Sequence, residues 1–80
     1  MIDEQKLIDL LKQGIVEIKF MSLKSGRMYN REYTTHESMA SMDIKQKEGN
    51  DKILCYDVDF GKWEDIDVSS IESYKTIQKL

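Results

Sequence analysis

Eighty residues, 40% of them hydrophobic and 34% charged, suffice for one domain with a modest core that hides roughly 60 to 65% of its unfolded surface, and leave little mass for an enclosed catalytic cavity. The net charge of −3 excludes the blanket electropositivity of a nonspecific polyanion binder, and the single cysteine, Cys55, excludes an internal disulfide. No apolar run nears about 18 residues and no basic-then-apolar leader opens the chain, so a cytoplasmic protein with neither membrane span nor secretory signal is expected.

The opening segment has helical spacing. Leu7, Ile8, Leu10 and Leu11 form one apolar stripe, Asp3 can accept from the first free amides, and Ile2 can staple onto Leu7. A helix over about 4–13 is predicted, with Gly14 supplying a left-handed exit. Its stripe has two readings, a docking face for a partner or a plug for one open end of a small sheet.

Beyond Gly14 the hydrophobic period drops to two. Val16, Ile18 and Phe20 alternate with Glu17 and Lys19, Lys24-Ser25-Gly26 reads as a turn, and the chain returns through Arg27 to Thr34. On that return Tyr29, Arg31 and Tyr33 share one face. Thr35 to Asp51 is the least regular stretch: Met39, Met42 and Ile44 fit one helical turn, and Lys45 to Asp51 fits a solvated loop.

A second hairpin follows. Leu54, Tyr56 and Val58 alternate with Cys55, Asp57 and Asp59, Phe60-Gly61-Lys62-Trp63 makes a tight return, and Ile66 and Val68 continue the rhythm between carboxylates, placing Val58 and Val68 inside. Ser69-Ser70 breaks the pattern as a short helical turn before a last strand through Ile71, Tyr74 and Ile77. Five short strands without proline, behind one helix, predict a mostly β single domain over residues 1–80: a small five-stranded SH3-like or Sm-like barrel spanning about 15–78.

Gly14-Ile15-Val16-Glu17-Ile18-Lys19-Phe20, Lys24-Ser25-Gly26, the Thr34 ending the second strand, and Trp63 followed by Ile66, Val68, Ser70 and Ile71 resemble a family of small bacteriophage proteins with an expected Sm-like SH3 β-barrel, labelled WYL-like. The resemblance runs from about Leu11 to Tyr74. It implies a phage accessory protein acting in the host cytoplasm, with no enzyme activity to carry over. In that family the positions corresponding to Glu64 and Asp67 are often basic, and carboxylates there disfavour contact with phosphate.

Charge is divided along the chain. From Ile15 to Arg31 four cations face Glu17 alone, a net +3, whereas from Asp51 to Leu80 four lysines face seven carboxylates, a net −3. The acidic candidates for binding a basic protein surface are Asp57, Asp59, Glu64, Asp65 and Asp67, with the Asp57/Asp59 and Asp65/Asp67 pairs expected near each other across the turn. Hard cations also favour such oxygens, but no calcium-loop spacing is present and no metal is assigned. The basic candidates for nucleic acid are Lys19, Lys24, Arg27, Tyr29 and Arg31, where cations and stacking rings combine as in single-strand binders. Trp63 and Phe60 read either as recognition aromatics or as core or rim anchors.

Catalysis is not expected. A nucleophilic Cys55 needs a base, and the only histidine, His36, lies in the irregular stretch with nothing to bring it near. The expectation is a non-enzymatic binding module without cofactor that engages a host protein. The alternatives are a nucleic-acid-binding Sm-like module using the basic hairpin 19–31, and self-assembly through exposed strand edges.

Overall fold

The change of period at Gly14 is where helix gives way to sheet. The computed structural model describes residues 3–39 and 51–80 and places α1 at Glu4–Gln13, β1 at Gly14–Met21, β2 at Met28–Thr34, β3 at Lys52–Asp57, β4 at Lys62–Asp67, a 3-10 turn at Val68–Ser70 and β5 at Ile71–Lys79. Asp3 caps α1, its carboxylate accepting from the Lys6 amide at 3.1 Å. Ile2, Met42, Ile44 and the 45–50 loop lie outside the described residues. No helix among the described residues is long and apolar enough to cross a membrane.

Gly14 departs from expectation. Its φ of 174° is extended, so the helix does not leave through a left-handed residue; the glycine opens β1. The reason for it is close approach: a Cβ there would strike the Gln78 carbonyl oxygen and come within 2.8 Å of the Lys79 Cα. Positive φ belongs instead to Gly26 (72°) and Gly61 (67°), one in each hairpin turn, where L side chains are disfavoured.

The five strands form one antiparallel sheet in the order β4-β3-β2-β1-β5. It is not closed into a barrel, and β4 and β5 stand at its two edges. Bulges between Ile15 and Val16 and between Lys19 and Phe20 bend the β1–β5 ladder. The β2–β3 junction is short, pairing Tyr33 with Asp57 and Thr34 with Tyr56. The Tyr33 hydroxyl nevertheless reaches Glu64 on β4, crossing over β3, so the sheet is strongly curled.

The core fills the concave side. Val16 and Ile18 from β1, Tyr33 from β2, Ile53 and Cys55 from β3, Ile66 from β4 and Ile71 meet Leu7 and Leu11 of α1, while Ile8 and Leu10 are half-buried around them. The helix packs against β1, β2 and β5. Buried Thr34 holds the junction: its hydroxyl lies 2.7 Å from the Gly14 carbonyl and 3.2 Å from that of Leu11, and it accepts from the His36 amide at 3.0 Å. Full satisfaction of a buried hydroxyl is what makes its burial tolerable.

The second hairpin corrects the facing read from alternation. Ile53, Cys55 and Asp57 turn inward, and Leu54 and Tyr56 turn outward. Both faces of β3 carry apolar residues, so the period of two was satisfied in either phase; contact with the helix-side core selects Ile53 and Cys55. Val58 lies beyond the strand in the turn, half-buried, with its amide donating to the Glu32 carbonyl at 3.1 Å, and Val68 packs at the core edge from the 3-10 turn.

Candidate functional site

Strand parity separates the acidic candidates. Cys55 faces Glu64 across the ladder, Leu54 faces Asp65 and Lys52 faces Asp67, so Asp57 and Glu64 share the inner face while Asp65 and Asp67 share the outer. The two aspartate pairs therefore do not meet on one face as alternation had placed them. Asp57 is fully buried: Oδ1 accepts from the Asp59 and Phe60 amides at 3.0 Å each, closing the β3–β4 turn, and Oδ2 sits 3.3 Å from Arg31 Nη1. Asp59 is exposed within that turn.

Glu64 is also engaged. It accepts from the buried Tyr33 hydroxyl at 2.8 Å and lies 3.4 Å from Lys62 Nζ. Burial pushes the Tyr33 phenol far above its usual range, and the hydrogen bond and charge of Glu64 push it the same way. Burial, followed by the charges of Glu64, Asp57 and Asp65, raises the Cys55 thiol likewise, leaving it protonated and unreactive at neutral pH. Asp65 is exposed and Asp67 half-buried on the outer face.

The basic candidates are divided in the same way. Lys19 faces outward, 3.8 Å from Glu72. Arg31 lies on the inner side of β2 between the rings of Tyr29 and Phe60, with Cζ 5.0 and 4.5 Å from their centroids, and is paired with Asp57. Its planar, weakly hydrated guanidinium suits that stacked position. Lys24 and Arg27 flank the exposed Ser25-Gly26 tip and form no ion pair with the described residues. Two of the four cations are therefore committed to carboxylates of the fold, and Tyr29 supports one of them.

The outer face of β3 and β4 carries a different group. Tyr56 and Trp63 are directly opposite one another, both half-buried, with ring centroids 5.7 Å apart at 67° in an edge-to-face contact. Asp65 follows Trp63 on this face, and Asp67 beyond it. Trp63 therefore lies on the face away from the core, on the opposite side of β4 from Ile66, which removes the core-anchor reading. Beside the β4 edge an open groove of about 320 Å³ runs between Asp65-Ile66-Asp67 and Phe20 to Lys24.

His36 stays in the turn after β2, its Nδ1 2.8 Å from the Ser38 hydroxyl. Among the described residues no three histidine, cysteine or acidic side chains gather as a metal site. No protein-family model, no curated protein and no solved structure matches the chain.

Proposed function

We propose that this chain is a non-enzymatic binding module of SH3-like or Sm-like ancestry, a phage accessory protein that engages a host protein through the outer face of β3 and β4. The Tyr56–Trp63 pair carries the reading: two large rings on the sheet face away from the core, rimmed by Asp65 and Asp67. Tyr and Trp dominate binding energy where they are desolvated by a partner, and a carboxylate rim selects a basic one. The strand order, the curl that brings Glu64 to Tyr33 and the 3-10 turn before β5 support the barrel-type ancestry.

The test is affinity capture from a bacterial host lysate with the intact chain and with Tyr56→Ala, Trp63→Ala and Asp65→Lys variants whose circular dichroism matches the parent. Loss of one captured protein with all three supports the reading. Retention by all three discards this face. Binding to short DNA or RNA that falls steeply with salt and vanishes in a Lys24→Glu, Arg27→Glu variant replaces the protein-partner reading with the nucleic-acid one.

A further inference from the structure

The free edge of β4 has a definite hydrogen-bonding polarity. In an antiparallel ladder, opposed residues alternate between those that exchange hydrogen bonds and those whose N–H and C=O point away from the partner strand. The bond from the Val68 amide to the Asp51 carbonyl, 2.8 Å, sets the phase: Ile66 and Glu64 bond across to β3, whereas Trp63, Asp65 and Asp67 turn their main-chain groups to the open side. The Asp67 carbonyl is taken by the Ser70 hydroxyl at 2.6 Å. The N–H and C=O of Trp63 and Asp65 and the N–H of Asp67 have no partner among the described residues.

These groups border the groove. Its far wall is Phe20 to Lys24, including half-buried Phe20 and exposed Met21 and Leu23, and Ile66 contributes the apolar residue on the β4 side. Asp65 is opposite Leu54 across the ladder and has no ion pair with the described residues; of the two lysines that also line the groove, Lys52 stands opposite Asp67 and Lys24 in the far wall, so Asp65 is the carboxylate of this edge without a cation directly facing it.

We propose that this groove is a strand-acceptor site, taken by an extended segment of a partner protein that adds to β4. Main-chain bonds to Trp63, Asp65 and Asp67 supply register. The side chain opposite Ile66 is apolar and turns toward Phe20, and its neighbour beside Asp65 is Lys or Arg, whereas Asp67 already faces Lys52 across the ladder. The site is an edge and not a face, so it stands whether or not the Tyr56–Trp63 pair contacts a partner.

The probe is an acetylated, amidated heptapeptide alternating Lys and Val, added to the full chain and followed by amide hydrogen exchange and NMR titration. Exchange at Trp63, Asp65 and Asp67 should slow at least about tenfold at saturation, with β5 amides unchanged. A twin peptide N-methylated at alternate residues, identical in charge but unable to pair along one edge, should give no protection. Asp65→Lys should weaken binding about fivefold, and Asp65→Pro, which removes an outward N–H without touching the β3 ladder, should abolish it. If Asp65→Pro loses its circular dichroism, the twin peptide decides. Equal protection by both peptides, protection confined to β5, or no protection at about 1 mM peptide overturns the proposal. So does a concentration-dependent dimer in sedimentation whose β4 amides are already protected, since a second copy then fills the edge.

Discussion

Replacing Arg31 with Met keeps an unbranched side chain between the Tyr29 and Phe60 rings but withdraws the cation from Asp57. Removing one member of a fully buried ion pair costs about 3–5 kcal/mol, because the other charge is left uncompensated. Two features of this pair lower that figure. The Arg31 side chain keeps 26% of its exposure, and Asp57 Oδ1 retains both turn amides at 3.0 Å. A loss of about 2–3 kcal/mol is expected, a large share of the roughly 4–12 kcal/mol that holds a chain of this length. Urea unfolding followed by Trp63 fluorescence reads it as a midpoint about 2 M lower, for a slope near 1 kcal/mol/M. Asp57→Asn keeps an acceptor for the turn amides and loses only the charge, so it should cost about 1–2 kcal/mol, and the double variant should show coupling of at least about 1 kcal/mol. An Arg31→Met cost under about 0.5 kcal/mol, or two single effects that simply add, would refute the assignment of this pair to the fold.

Gly14→Ala should destabilise by about 1–3 kcal/mol, because the new Cβ meets main-chain atoms of Gln78 and Lys79 that cannot step aside; hydrogen exchange should accelerate at the Leu80 amide, which now donates to the Gln13 carbonyl at 2.9 Å. Stability should fall at alkaline pH. Cys55 and Tyr33 are both raised by burial, so above about pH 8.5 and then about pH 10 the unfolded chain releases protons that the folded chain keeps. That contribution is complete below about pH 8.5 and is lost at about 1.4 kcal/mol per pH unit for each group as pH rises toward the folded values. Urea midpoints at pH 7.5, 9 and 10.5 check this, and a flat profile would contradict the burial of both groups.

Local features were legible because their causes are local. The helix bounds follow from Asp3 and the spacing of Leu7 and Leu11, and the hairpin from Gly26. The break at Ser69-Ser70 coincides with the 3-10 turn. The second hairpin was legible only in part. Apolar residues stand on both sides of β3, so alternation identifies the strand and leaves its facing undecided; with the wrong phase, Asp57 appears as surface charge and Tyr56 as core. The binding candidates blurred for the same cause. Arg31 and Asp57 sit 26 positions apart, Tyr33 and Glu64 31 apart, and nothing in either neighbourhood announces the other.

Periodicity, capping residues and turn glycines determined which segments become helix and strand and where the chain reverses, since each acts within a few residues. Tertiary packing decided which face of β3 points inward and why Gly14 must lack a side chain. It also decided which charges serve the fold and which remain on the surface, because burial and ion pairing depend on groups that only the curled sheet brings together.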